Sequence, residues 1–419
     1  MNYTPHFPSH LQATIMLPSS KSISNRALLL CALSGSSSEV KRKSDCDDTN
    51  VMWKNLTQRP FTADIMAAGT AMRFLTAFFA ICTDEEHIIT GTQRMRERPI
   101  GVLVDALKSL GANISYEEKE GFPPLHIKGR KLHGGTLHLP ANVSSQYISA
   151  LLMIAPCTDC GLTLILEGEI ISRPYINMTI AMMRTFGASV EWADDHTLKV
   201  ENKAYTPGIT YAVESDWSAA SYWYEMVALS ADKDARIVLP WLNEESLQGD
   251  SAIRKYFEPL GVETHFDTDN HCAILTKNAD LRISPDECYK LNLVDQPDLA
   301  QTLVVTCAAL QQPFYFTGLR SLRIKETDRM AALQCELAKF GIELGIEGDE
   351  ALHIQSYAPS ALQYNGTPIA TYHDHRMAMA FAPLGLMCNN KVEIANPEVV
   401  SKSYPNYWKD LESLADKKA

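Results

Sequence analysis

The chain has 419 residues, 46% hydrophobic and 21% charged, with a formal net charge of −12. That length suits two domains with substantial cores, and the acidic balance argues against generic nucleic-acid or anionic-membrane binding. No apolar run approaches the roughly 18 residues that span a bilayer, and Met1–Gln12 lacks the basic-then-apolar pattern of a secretory signal, so neither is expected. The ten cysteines are scattered, several in apolar helical context as Cys31, Cys82, Cys307 and Cys388 are; this fits reduced thiols and a cytoplasmic location.

In chain order, Leu17-Pro18-Ser19 is a candidate hinge, after which Lys21-Ser22-Ile23-Ser24-Asn25-Arg26 leads into an apolar helix over 27–33. Ala68-Gly69-Thr70-Ala71-Met72-Arg73 leads into another over 74–80. The arginines of Arg94-Met95-Arg96-Glu97-Arg98 alternate, so an extended stretch would place all three on one side. Thr136–Leu139, Leu162–Leu166 and Arg236–Leu239 read as short strands. Ser144-Ser145-Gln146 precedes a helix over 147–155, and Asp216–Leu229 reads as a helix just after a second candidate hinge at Tyr211–Ser215. Lys325-Glu326-Thr327-Asp328-Arg329 precedes a helix over 330–340, and Asp374-His375-Arg376 one over 377–386. The two hinges predict one continuous domain of residues 19–213 and a second made of residues 1–18 with 214–419.

Glycines at 35, 111, 187, 261 and 341 follow helix-like stretches at intervals of 74 to 80 residues, and four of them stand between an apolar residue and the next strand. Each suits a left-handed helix cap, and the period describes a repeated α/β unit holding two helices and several strands.

Helix starts carry unpaired N–H groups and a partial positive charge, so they favour anions. Here several also carry Lys or Arg, which points to multiply phosphorylated or carboxylated small molecules as ligands. No phosphate loop of the Gly-x-x-x-x-Gly-Lys type and no Gly-x-Gly-x-x-Gly turn occurs, so no nucleotide cofactor is expected. Cys157-Thr158-Asp159-Cys160 lacks a second ligand pair, and His373 with His375 flanks a helix-start aspartate, so no metal is expected either. In the 325–329 segment, Lys325 and Arg329 at helical spacing share a face and repel, an arrangement favoured only if an anion sits between them.

These motifs, in this order along nearly the whole chain, resemble the 5-enolpyruvylshikimate-3-phosphate synthase family. The resemblance rests on Lys21 to Arg26, Ala68 to Arg73, Arg94 to Pro99, Ser144-Ser145-Gln146, Ser172-Arg173-Pro174-Tyr175, Lys325 to Arg329, Asp374 to Ala378, and Lys402-Ser403-x-Pro405. It implies an α/β fold of two similar domains, each of three βαβαββ units, with helix N-termini facing the interdomain cleft. It implies an enzyme, a 3-phosphoshikimate 1-carboxyvinyltransferase, that moves the enolpyruvyl group of phosphoenolpyruvate to the 5-hydroxyl of shikimate 3-phosphate and releases phosphate. That step serves the shikimate pathway to aromatic amino acids. Sensitivity to glyphosate, which takes the phosphoenolpyruvate site in the family, is implied too.

By the same resemblance, Lys21 would reach both substrates, while Ser22 and Arg26 hold the shikimate carboxylate. Ser144, Ser145 and Ser172 would grip the 3-phosphate, Gln146 and Tyr175 would line the ring, and Ser321 stands where an asparagine often contacts that phosphate. Gly69, Thr70, Arg94, Gln146, Arg329, Arg376 and Lys402 would bind phosphoenolpyruvate. Asp298 and Lys325 would meet shikimate 3-phosphate, and with Glu326 they would form the proton-transfer set. Seven cations (Lys21, Arg26, Arg94, Lys325, Arg329, Arg376 and Lys402) would face roughly six negative charges on the two substrates. No cofactor, metal, nucleic acid or membrane partner is implied, and a monomer is expected. The chain departs from the family pattern at Met66-Ala67-Ala68, where Gly-Asn-Ala or Gly-Asn-Ser is usual, and at Phe74, where proline is common. Residues 41–60 are also short for the family.

Overall fold

The structure is a computed structural model that describes residues 2–35, 37–357, 362–389 and 391–414. The chain separates into two compact units, Ser19–Val213 and Met1–Pro18 with Glu214–Ala419. Met1 and residues 415–419, the outer ends of the second expected domain, lie outside the described residues. Each unit has its own hydrophobic core.

In the unit 19–213, Thr62–Asp64 runs parallel to Glu86–Thr90, which pairs antiparallel with Leu125–Lys128, itself the partner of Asn113–Tyr116. A second sheet repeats the pattern: Gly135–Pro140 parallel to Leu162–Glu167, then Thr197–Val200 and Val190–Trp192 antiparallel. The other unit also holds two. Gln12–Thr14 runs parallel to Arg236–Pro240, followed by Cys272–Lys277 and Val262–Asp267. Tyr289–Asn292 runs parallel to Phe314–Thr317, followed by Ala351–Tyr357 and Ile342–Glu347. What remains of each unit forms two-stranded pairings, Glu39–Lys41 with Thr210–Ala212 and Asn2–Tyr3 with Ile394–Ala395. Parallel strands need a crossover, and a helix supplies it in three of the pairs: Gly69–Ile81 between Thr62–Asp64 and Glu86–Thr90, Ser145–Ile154 between Gly135–Pro140 and Leu162–Glu167, and Ala300–Ala309 between Tyr289–Asn292 and Phe314–Thr317.

Gly111, Gly187, Gly261 and Gly341 have φ between +73° and +101°, and each ends a helical segment just before the first strand of a hairpin. Gly35 also has positive φ, +102°, but follows the helix Lys21–Ser34 and precedes Glu39–Lys41, which pairs in parallel with Thr210–Ala212 and not in a hairpin. It therefore falls outside the series that the spacing suggested.

Helices buried on nearly every side must sit in the middle of a fold. Gly69–Ile81 and Ser145–Ile154 are of this kind and pack together with Lys21–Ser34. In the other unit Trp217–Leu229, Ala300–Ala309 and His375–Phe381 form the corresponding trio. The polar residues that these helices leave partly exposed stand at N-terminal ends, as Thr70, Gln146 and Ser218 do. The core thus leaves the helix starts as the places where polar chemistry can gather.

Candidate functional site

In the unit 19–213 the starts of the central helices meet: Gln146 Nε2 donates to Thr70 Oγ1 at 3.1 Å. Ser20 caps the first helix by accepting from Ile23 N, and Ser144 caps the third by accepting from Gln146 N. Ser172 takes a left-handed conformation at the start of Arg173–Thr185. Lys21 Nζ lies 3.2 Å from the buried Asp48 carboxylate. Arg26 is 2% exposed and donates to Thr179 Oγ1, Ser149 Oγ and the carbonyls of Ser22 and Tyr175. All are neutral oxygens, so a buried positive charge stands here with no carboxylate bonded to it among the described residues. Burial pushes the Arg26 guanidinium down to about 10, the Tyr175 phenol opposing, and it stays charged at neutral pH. The guanidinium also lies 5.4 Å from the centre of the Phe74 ring. The departure from proline at 74 thus supplies a cation–π face to the most buried cation of this unit.

In the other unit a carboxylate–cation network surrounds Arg329, which is buried. Its Nη1 donates to Asp298 Oδ1 at 2.8 Å, its Nη2 to Glu326 Oε2 at 3.0 Å, and its Nε to Asp374 Oδ2 at 2.7 Å. Asp298 also faces Lys325 Nζ and Arg376 Nη2, each at 3.4 Å, and Glu326 accepts from Lys402 Nζ at 2.7 Å. Among the described residues these pairs join three carboxylates, Asp298, Glu326 and Asp374, to four cations, Lys325, Arg329, Arg376 and Lys402. Burial works to raise the Asp298 carboxyl, but Lys325, Arg376 and Arg329 together outweigh it and hold it well below the usual carboxylate range. Burial alone would lower Arg329; Asp374, Glu326 and Asp298 more than reverse it.

Two expectations are corrected. Lys325 does not share a helix face with Arg329: it is extended, at φ −80° and ψ −150°, and the helix begins at Arg329. The cause is Asp328, an N-cap whose Oδ1 accepts from Ala331 N while Arg323 holds its other oxygen. The anion between Lys325 and Arg329 is the protein's own Asp298. Nor is the arginine stretch extended. Thr92 caps a helical turn, Gln93–Arg96, which splays the three apart. Arg94 pairs with Glu97, Arg96 with Glu118, and the Arg98 guanidinium packs against Gly69, where a Cβ would lie 2.8 Å from Nη1.

The remaining expected residues fall as follows. Ser22, Ser145 and Tyr175 sit on the helix starts of the unit 19–213, as do Lys21, Arg26, Gly69, Thr70, Ser144, Gln146 and Ser172. Ser321 lies in the 3-10 turn Arg320–Ile324, its Oγ buried and without a hydrogen bond among the described residues. Sequence reasoning missed Asp374, which grips Arg329 with both oxygens, and Asp48 and Arg98. For Asp374 a signal existed, since an aspartate before a buried helix is an N-cap, and it accepts from Arg376 N.

The sequence matches the EPSP synthase family, described as 3-phosphoshikimate 1-carboxyvinyltransferase, over residues 5–60 and 55–411. Among similar proteins, a 3-phosphoshikimate 1-carboxyvinyltransferase of Bacteroides fragilis is 52% identical over 98% of this chain and 97% of its own length. One from Histophilus somni is 34% identical over 97% of each. The solved structure of EPSP synthase from Acinetobacter baumannii covers 99% of this chain and 98% of its own at TM-score 0.76 and 19% identity, a likeness of fold. The chain belongs to the EPSP synthase family.

Proposed function

We infer that this chain transfers the enolpyruvyl group of phosphoenolpyruvate to the 5-hydroxyl of shikimate 3-phosphate, releasing phosphate. The observation that carries this reading is the near-full-length kinship at 52% identity with a 3-phosphoshikimate 1-carboxyvinyltransferase. The reaction has two halves. The hydroxyl gives its proton to a carboxylate as its oxygen bonds to C2 of phosphoenolpyruvate, and C3 gains a proton from a protonated group. C3 then loses a proton, the vinyl double bond forms again, and phosphate departs with the electrons of its C–O bond.

The assignment of residues to these tasks is our proposal. Lys21, Ser22, Arg26, Ser144, Ser145, Gln146, Ser172, Tyr175 and Ser321 hold shikimate 3-phosphate. Gly69, Thr70, Arg94, Arg329, Arg376 and Lys402 hold phosphoenolpyruvate, with Lys21 and Gln146 reaching it as well. Buried Arg26 supports the first set, because an uncompensated guanidinium favours an anion nearby. The gathering of Lys325, Arg329, Arg376 and Lys402 in one network supports the second. Asp298, held ionised, can accept a hydrogen bond from a hydroxyl but has no proton to give. Lys325, a cation, can give the proton to C3, and Glu326, a carboxylate beside Arg329 and Lys402, can take it back in the second half. We place the enzyme in the cytoplasm, a reading supported by its ten free cysteines, and take it to act as a monomer.

A phosphate-release assay with phosphoenolpyruvate tests the function directly. Turnover with shikimate 3-phosphate is expected, and none with UDP-N-acetylglucosamine, the acceptor of a related transferase. The opposite preference overturns the reading.

A further inference from the structure

Glu336 is 1% exposed and lies two helical turns beyond Arg329 on the same helix, Arg329–Ala338. A buried carboxylate must be fully paired, and this one is. Its Oε2 accepts from Ala370 N at 2.9 Å and Lys339 Nζ at 2.6 Å, and its Oε1 accepts from Tyr372 OH at 2.7 Å. Lys339 Nζ also donates to Pro368 O at 2.8 Å. One carboxylate thus fastens the segment 368–372 to the helix that carries Arg329.

That segment needs fastening. Tyr372 and His373 both have left-handed backbones, at φ 53° and 56°. Consecutive non-glycine residues in that region are strained and persist only where the surroundings hold them. Directly after them stand Asp374, which grips Arg329 at 2.7 Å and 3.3 Å, and Arg376, which faces Asp298 at 3.4 Å. The strained turn fixes where Asp374 and Arg376 stand relative to Arg329.

We propose that Glu336 is a positioning residue for phosphoenolpyruvate: through Tyr372 OH and Ala370 N it holds the turn that delivers Asp374 and Arg376 to Arg329. This rests on the reading that Arg329 and Arg376 bind phosphoenolpyruvate. Tyr372→Phe removes a single hydroxyl from a partly exposed side chain and leaves the core intact, so it serves beside Glu336→Gln.

The experiment measures KM for each substrate and kcat in wild type, Tyr372→Phe, Glu336→Gln, Arg376→Lys, Glu336→Gln with Arg376→Lys, and Tyr364→Phe. Tyr364 is a control, since its hydroxyl donates to Thr367 O within the same unit. Tyr372→Phe and Glu336→Gln are expected to lower kcat/KM for phosphoenolpyruvate about tenfold, the scale of a slightly misplaced binding group. KM for shikimate 3-phosphate and the Tyr364→Phe kinetics should stay unchanged. The double variant should lose less than the product of its single losses, because both act on one element. If Arg376→Lys leaves the phosphoenolpyruvate KM unchanged, the underlying site reading fails. If Arg376→Lys raises it while Tyr372→Phe and Glu336→Gln do not, or if these two shift both substrates' KM alike, the positioning role of Glu336 is overturned.

Discussion

Asp298 and Arg329 form an ion pair at 2.8 Å in which the arginine side chain is 2% exposed and the aspartate 23%. The buried partner is held from three sides by carboxylates, so its position is set by the protein. The more accessible partner, Asp298, is the group proposed to meet the substrate hydroxyl.

Asp298→Asn should abolish most turnover, by about a hundredfold or more, the scale of a general acid–base group. It should also remove a pH-dependent part of stability. The Asp298 carboxyl is depressed in the fold, so its contribution is present above the usual aspartate range and disappears as pH falls through the lower folded value. Urea unfolding at neutral pH should show the variant less stable, with the gap closing below roughly pH 4. A gap that does not narrow in acid would show that Asp298 is not ionised through its cation partners.

Glu326 links Arg329 and Lys402, at 3.0 Å and 2.7 Å. Glu326→Gln keeps the shape and removes the charge, so turnover should fall by about a hundredfold or more. Binding of shikimate 3-phosphate, followed by calorimetry, should change little. Near-normal turnover would take Glu326 out of proton transfer and leave Lys325 as the donor.

The elements around these sites were legible where periodicity and caps agreed. The strands at 136–139, 162–166 and 236–239 and the helix after Asp216 came out within a residue or two, because short alternation and an N-cap aspartate are local signals. The cation-rich helix starts were equally legible. Which partner each cation chooses was not. Lys325 and Arg329 look like helix neighbours in sequence, but Asp328 caps the helix one residue before Arg329, and Asp298, 31 residues from Arg329, fills the space between them. Arg98, not Arg94, packs against Gly69, because Thr92 starts a helical turn where alternation suggested a strand. Long-range pairing of charges follows from tertiary packing, which no window of sequence contains.

Glu225 gives a test remote from the chemistry. It is fully buried on Trp217–Leu229, with no hydrogen bond to either carboxylate oxygen among the described residues. Burial pushes its carboxyl well above the usual range, opposed in part by the Thr306 hydroxyl. A raised carboxyl contributes stability that is fully present below the unfolded value and is lost as pH rises towards the folded one. Glu225→Gln has no proton to lose, so relative to wild type it should gain stability steadily from about pH 4.5 upward. Urea midpoints at pH 5 and pH 8 measure this. An equal difference at both would show that Glu225 does not stay protonated in the fold.

Gly69 opens the helix Gly69–Ile81, and its lack of a side chain lets the Arg98 guanidinium lie against the backbone there. A Cβ at this position would stand 2.8 Å from Nη1, 3.2 Å from Nη2 and 3.3 Å from Cζ of Arg98. The guanidinium is the far end of a flexible side chain, so it would move while the buried helix stays. The helix start would then lose a cation beside the N–H groups proposed to bind phosphoenolpyruvate. Glyphosate is longer than phosphoenolpyruvate and fills more of the same space, so Gly69→Ala should weaken it by about tenfold or more, the scale of one added methyl in a tight site. The phosphoenolpyruvate KM should rise much less. Because the methyl acts first on Arg98, its effect should shrink in an Arg98→Ala background. Inhibition constants for the two single variants and the double variant decide the matter. A full-size effect of the methyl without Arg98 would show that it touches the inhibitor itself, and equal losses for both ligands would show that Gly69 does not discriminate between them.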